Sequence, residues 1–433
     1  LSKLLIRAMV LPMTGPEVFY SRGEIGIDGD RIISVGEEGS APQNFAPDRV
    51  LNLPNDVVMP GLINTHTHAA MTLLRSYADD LPLMPWLNEK VWPFEDKMTE
   101  DDIYWGTTLA LCEMIRSGTT TMLDMYASMD QVAEAVLQAG TRAVLSRGLI
   151  GNGPNGERAL QEGIDLVRRY QGAGQGRLKV MFGPHAPYTC SGDYLQQVKA
   201  HADDLGVGIH IHVAETLDEI KMIHEQYGKT PVEWLEGLGL FGGHVVAAHC
   251  VHLTRNDMEI LARNKVCVAH NPESNMKLNS GTAPVTELRA RGIVVSLGTD
   301  GASSNNNLDL FGEMRSAAFQ QKLRVNSTAL PAYEVLEMAT VNGAQSLGFE
   351  DVGMLAPGFK ADLITVDLDQ PHFYPRFSIP AHLAYVAHAG DVRTMMVDGK
   401  ILMEERKILT LDVHKVCQEA EIRAKRIASA LNG

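Results

Sequence analysis

Eight short apolar runs occupy the middle of the chain, and their regular separation leaves few folds open. They read "LINTHTH" (62–68), "TTTMLDMY" (119–126), "TRAVLSRG" (141–148), "LKVMFGP" (178–184), "VGIHIHVAE" (207–215), "HVVAAHC" (244–250), "VCVAHNP" (266–272) and "IVVSLGTD" (293–300). Their hydrophobicity is continuous rather than alternating, which marks parallel strands buried on both faces. Helical stretches fill the gaps. "DDIYWGTTLALCEMIRSG" ends with Gly118 at a C-cap, and "SGDYLQQVKAHADDLG" opens at Ser191 or Asp193 and closes at Gly206. Eight strands alternating with helices predict an α/β fold, a distorted (β/α)8 barrel of the TIM type.

The two ends of the chain have a different texture. "LLIRAMVLP", "GEIGIDGDRIISVGE" and "RVLNLPNDVVMP" alternate apolar residues between Asp-Gly and Pro punctuation, as strands and hairpins do. The same hairpin-like patterning returns in "GMLAPGFKADLITVDLD" and "VRTMMVDGKILMEERKI", before a final helix from about Asp412. The expected organisation is a small β-sandwich domain assembled from residues 1–58 and 353–433, the final helix included, flanking a barrel over residues 59–352.

Composition excludes several function classes. A formal net charge of -15 argues against a backbone-bound nucleic acid, which needs clustered Lys and Arg. It leaves room for a small neutral or zwitterionic substrate. No segment approaches the roughly 18 uninterrupted apolar residues of a membrane span, so no membrane partner is expected. The opening "LSKLLIRAMVLPMTG" is broken by Lys3 and Arg7 and has no small-residue cleavage pattern, so a signal peptide is not expected. The absence of an initiator Met suggests that the sequence starts slightly inside the gene product. Five scattered cysteines, Cys112, Cys190, Cys250, Cys267 and Cys417, form no C-x-x-C pair and suit a reducing, cytoplasmic setting. Barrels of this size are compatible with a homo-oligomer, but no sequence feature counts subunits.

In a parallel barrel the reactive groups sit where the strands end and the βα loops begin. His66 and His68 end the first run, and their i, i+2 spacing puts both on one face. His212 ends the fifth run, His249 the sixth and Asp300 the eighth. One strand-end histidine is commonly a core residue. Five coordinating side chains gathered at one end point to a hydrolytic Zn or Fe site of imidazoles and carboxylate. A second metal would call for a bridging group at the end of the fourth run, but Lys179 lies near its beginning and no acid ends it, so one metal is expected. Glu215, three residues past His212, is placed to handle a proton of a water on that metal. His210 shares the face of His212 one layer deeper, where support or packing suits it better than ligation, and His270 is read similarly. His244 falls at the opposite end of the barrel. His201, His224, His252, His372, His382, His388 and His414 have no motif context and are expected to be structural or surface residues.

Over nearly its whole length the chain resembles the amidohydrolase superfamily. "PGLINTHTH", "HVAET", "AHCVHL", "HNPESNMKL" and "LGTDGASSNNNLDLF" look like the branch of deaminases acting on 5-methylthioadenosine and S-adenosylhomocysteine, and "LPLMPWLNEKVWPFE" looks like a loop of the deaminase and triazine hydrolase relatives. The resemblance implies one zinc ion per chain, with Fe2+ as the alternative, held by His66, His68, His212 and Asp300. It implies that Glu215 carries a proton from the metal-bound water to N1 of a purine, that His249 orients the attacking oxygen, and that Asp300 accepts its proton. Attack at C6 would release ammonia and leave the inosine analogue of S-adenosylhomocysteine, 5'-methylthioadenosine or adenosine. The same resemblance assigns ribose hydroxyls to Glu95 and pocket lining to Trp86. It places His185 and Arg147 against the nucleoside and a homocysteine carboxylate on Arg158. Related readings keep the metal and change the substrate: a guanine or pterin deaminase, or a triazine-type hydrolase. A non-catalytic barrel scaffold is the reading from another class, and the full ligand set weighs against it.

Overall fold

All eight apolar runs form strands of a single parallel sheet in the computed structural model, which describes residues 3–151 and 155–432. The positions outside these ranges, at both termini and at 152–154, fall within the expected domains but outside the described residues. Four strands precede the barrel: β1 (Lys3–Val10), β2 (Tyr20–Asp28), β3 (Arg31–Glu37) and β4 (Arg49–Pro60). The barrel strands are β5 (Leu62–Thr67), β6 (Thr119–Tyr126), β7 (Arg142–Leu149), β8 (Leu178–Pro184), β9 (Gly208–Val213), β10 (Val245–His249), β11 (Cys267–His270) and β12 (Val295–Leu297). β5 and β9 to β12 are buried at every position, as continuous apolar runs require. They lie in chain order from β5 to β12. The two edge strands meet where Asp300 N–H donates to the His66 carbonyl at 3.0 Å and Thr65 Oγ1 reaches the Leu297 carbonyl at 2.9 Å, so the sheet is nearly closed. Gly298 permits this approach, because a Cβ there would stand 2.8 Å from His66 Cβ.

Helix signals in the sequence correspond to helix ends. Helix Glu100–Ser117 starts on a Thr99–Asp102 capping box and stops at Gly118 with φ 84°, and helix Gly192–Leu205 runs from a Ser191 cap to Gly206. Among the described residues no helix is long and apolar enough to cross a membrane.

The chain ends build the second sheet, completed by β13 (Leu363–Asp367), β14 (Val392–Val397), β15 (Lys400–Glu404) and β16 (Lys407–Ile408). Its order is β16-β15-β14-β13-β4-β1-β2-β3, one continuous mixed sheet. The twelve-residue β4 joins its halves: β1 pairs along it in parallel, with a register shift between Ala8 and Met9, while β13 pairs antiparallel with Asp56–Pro60. The sheet curls until β3 meets the segment before β13, with Ile32 N–H on the Phe359 carbonyl and Gly358 N–H on the Ile32 carbonyl. Ile6, Val10, Ile25, Val58, Leu363 and Met396 fill the core it wraps. The final helix, Val413–Asn432, crosses to the barrel, where Arg426 pairs with Asp102 of helix Glu100–Ser117.

Candidate active site

The C-terminal ends of the barrel strands open into a cavity lined by His68, His212, Glu215, His249 and Asp300, and capped by the helical turns of residues 83–95. His68 Nδ1–H donates to the Met125 carbonyl at 2.7 Å, and His212 Nδ1–H donates to the His185 carbonyl at 2.6 Å. A carbonyl can only accept, so each neutral ring carries its lone pair on Nε2. Those two Nε2 atoms stand 3.4 Å apart. Asp300 Oδ1 lies 3.3 Å from His68 Nε2 and 3.4 Å from His66 Nε2, and the latter is buried without a hydrogen-bond partner. Lone pairs facing one another at such range repel unless a cation lies among them. His66, His68 and Asp300 bring ligand atoms within 4.8 Å of one another, as do His66, His212 and His249, and His212 Nε2 also reaches His68 Nε2, so the three imidazoles and the carboxylate offer the donor set that suits a Zn2+ or Fe2+ ion.

Electrostatics make the same demand for positive charge. Burial opposes a charged ring at His68, yet the hydrogen bond and charge of Asp300 lift it to about 9. His66 is pushed down to about 4 by burial. Burial would raise Asp300 too, but His66 and His68 hold it well below the usual carboxylate range.

Neighbouring groups hold these side chains in place. His66 Nδ1 meets His210 Nε2 at 2.8 Å, Ser274 Oγ donates to Asp300 Oδ2 at 2.7 Å, and Asp124 Oδ1 takes the Ala69 N–H just after His68 at 2.7 Å. His249 Nδ1–H donates to Asn275 Oδ1 at 2.8 Å, which turns its Nε2 toward Glu215 Oε2 at 3.9 Å and Asp300 Oδ2 at 4.0 Å. Three strand ends carry left-handed backbone, at Ala214 (φ 52°), His249 (φ 72°) and Asp300 (φ 60°). Such conformations cost free energy and gather where a site dictates the direction of a side chain.

Burial pushes the Glu215 carboxyl up, so it is disposed to hold a proton. Its Oε1 lies 3.4 Å from Ser280 Oγ. Glu95 also lines the cavity; it accepts the Tyr126 hydroxyl at 2.6 Å, and burial raises it despite that bond. Trp86 and His185 line the cavity as well, and the buried Trp86 Nε1 is without a hydrogen-bond partner. Arg147 is on the wall with its Nε on Glu162 at 2.8 Å. Arg158 is not brought to the wall: its side chain is 68% exposed and pairs with the same Glu162 at 3.6 Å.

The remaining histidines separate by position. His210 sits beneath His66, His270 is buried in β11, and His244 is at the opposite end of the barrel, bonded to the Ser346 carbonyl. His372 and His388 flank the buried Asp391 at 3.1 and 3.3 Å, where their own hydrogen bonds account for the cluster. His252 bonds the Ser280 carbonyl and so stands one residue from Glu215. Sequence reasoning missed Asp124, Tyr126, Ser274 and Asn275. Asp124 and Tyr126 carried a usable signal, being polar groups at the end of the second run. Ser274 and Asn275 lie in the quoted "HNPESNMKL" without any spacing that marks their roles.

An eight-stranded parallel barrel with three imidazoles and a carboxylate converging at its mouth is the frame of a metal-assisted hydrolase. Residues 57–402 match the model of the amidohydrolase family, and the chain belongs to that family. It is 78% identical to the 5-methylthioadenosine/S-adenosylhomocysteine deaminase of Desulfitobacterium hafniense (strain Y51) over 431 residues, covering 100% of both chains. It is 51% identical to the 5'-deoxyadenosine deaminase of Methanosarcina mazei over 98% of both. Among solved structures, an adenosine deaminase from Xanthomonas campestris with bound zinc superposes with a TM-score of 0.95 at 35% identity, covering 98% of each chain.

Proposed function

We propose that this chain deaminates the adenine ring of S-adenosylhomocysteine, 5'-methylthioadenosine and adenosine by hydrolysis, giving the inosine analogue and ammonia. The observation that carries the reading is the complete mouth, in which His66, His68, His212 and Asp300 converge beside Glu215 and His249. The full-length likeness to deaminases of such nucleosides supports the choice of substrate.

The first four residues would hold one ion, Zn2+ by the likeness to a zinc-bound relative, with Fe2+ suiting the same donors. When bound, it supplies Lewis acidity that lowers the pKa of a water towards 7. The chain's own groups do the rest. Glu215, raised by burial, takes a proton and delivers it to N1 of the purine. His249, locked by Asn275, presents Nε2 to orient the attacking water beside C6. Asp300 Oδ2, held by Ser274, accepts the second proton and passes it to the departing amino group. Oxygen bonds to C6, the C6–N bond breaks, and ammonia leaves.

Glu95, steadied by Tyr126, accepts the ribose hydroxyls, while Trp86 and His185 pack against the nucleoside. The homocysteine carboxylate goes to Arg158 once that residue exchanges Glu162 for the substrate, with Arg147, on the wall and paired with the same Glu162, as the second cation. Four of the five unpaired thiols are buried, which suits a reducing cytoplasm as the compartment.

Purified, metal-loaded protein should release ammonia from these nucleosides with loss of adenine absorbance, and turnover of none would overturn the reading. Glu95→Ala should raise KM for adenosine by about 10–100-fold, as loss of one charged hydrogen-bond acceptor does, and leave free adenine unaffected. Equal damage to both would remove Glu95 from the ribose.

A further inference from the structure

Glu219 is a buried carboxyl group that the mechanism above does not use, only 1% exposed, in the first turn of helix Leu217–Tyr227. Its two oxygens accept two successive backbone N–H groups, Oε1 from Ala214 and Oε2 from Glu215, each at 2.8 Å. Between those N–H groups lies Ala214, whose φ of 52° is a left-handed conformation that a residue with a Cβ resists. From the other side, the Ala214 carbonyl accepts N–H groups of Val251 at 3.0 Å and His252 at 2.9 Å, from the loop that follows His249. The turn is thus gripped on both edges, which is how a strained backbone persists.

We propose that Glu219 is the positioning residue that aims Glu215 at the reacting purine. Its two hydrogen bonds fix both peptide planes around Ala214 and thereby the direction in which Glu215 leaves the backbone. Rotation at Ala214 would swing the Glu215 carboxylate away from Ser280 and His249, its neighbours at 3.4 and 3.9 Å. Displacing a proton-transfer group by about 1 Å costs about 100-fold in rate. The assignment rests on the reading of Glu215 as the proton carrier.

The test compares Glu219→Gln with wild type on adenosine and 5'-methylthioadenosine, with metal content and melting temperature recorded. A glutamine amide places N–H groups against one of the two backbone donors, so one bond becomes a donor–donor contact. The expected result is a fall in kcat of about 10–100-fold with KM and metal content unchanged. Thr216→Ala is the structural control: Thr216 caps the same helix by accepting Glu219 N–H at 3.3 Å, so its loss should lower the melting temperature and leave kcat unchanged. Should Glu219→Gln fail to fold, Glu219→Asp keeps the carboxyl group with a shorter reach, and its kcat should fall in the same KM-independent way. Wild-type kcat in a folded Glu219 variant, or a loss shared equally with Thr216→Ala, overturns the proposal. Absence of turnover by the wild type instead overturns the assigned reaction.

Discussion

The two ends of the barrel treat buried charge in opposite ways. At the floor, Arg142 opens β7 with a side chain 1% exposed, and its guanidinium is surrounded: Nε and Nη2 donate to Asp362 at 2.9 and 3.1 Å, and Nη2 donates to Asp398 at 2.7 Å. Asp398 N–H in turn donates to Asp362 Oδ1 at 2.8 Å, and Lys360 approaches Asp398 at 3.5 Å. At the mouth, His66 Nε2 is buried without a hydrogen-bond partner, and the Nε2 atoms of His68 and His212 face each other at 3.4 Å. The guanidinium of Arg142 is saturated by the chain itself, whereas at the mouth the chain leaves His66 Nε2 without a partner.

The sharpest way to break this contrast is to remove one group from each end. Asp300→Ala takes the carboxylate from the mouth, and kcat/KM for adenosine should fall by at least about 10⁴-fold, about 5.5 kcal/mol. Bound metal should fall well below one per chain while the melting temperature changes little. Arg142→Ala leaves Asp362 and Asp398 buried without their cation and should cost about 3–5 kcal/mol of stability. The kcat of the molecules that remain folded should be that of the wild type. Thermal melts paired with active-site titration measure both variants. A stable Arg142→Ala protein with damaged kcat, or an unstable Asp300→Ala protein, would show that the two ends are not separate in role.

The mouth was far more legible in the sequence than the floor, and the reason is distance along the chain. A histidine at the end of an apolar run declares its place, because strand direction alone sends it to the mouth; His66, His68, His212, His249 and Asp300 could each be located that way. Glu215 could be placed by its three-residue offset from His212. Arg142 could not be understood locally, since its partners Asp362 and Asp398 lie 220 and 256 residues on, just before β13 and just after β14 of the other sheet. The second sheet shares that difficulty: its hairpins were visible, but the parallel pairing of β1 with β4 and the antiparallel pairing of β4 with β13 are long-range choices. Arg158 is a different case. Its i, i+4 spacing to Glu162 was readable as an ion pair on a helix surface, and that pair is what the structure holds.

Asp56 tests whether an unsatisfied buried group away from the mouth simply costs stability. It lies in β4, fully buried, with Arg393 at 3.3 Å from Oδ1 and no hydrogen-bond partner on Oδ2. Burial pushes its carboxyl up to about 6, against the attraction of Arg393. Below its ordinary value of 3.8 the group is protonated in both folded and unfolded chains and contributes nothing. Between about 4 and 6 the unfolded chain releases the proton and the folded one keeps it, so this group removes stability as pH rises; above about 6 the loss is constant. Asp56→Asn keeps the shape without the charge. Its melting temperature should match that of the wild type near pH 4 and exceed it by a few degrees at pH 7, an effect of about 2 kcal/mol. Activity at pH 7 should be unchanged, because Asp56 is not among the residues that line the cavity. A melting-temperature difference that stays flat from pH 4 to 7 would mean that Arg393 already compensates the charge, and that this part of the end sheet is saturated in the way the floor is.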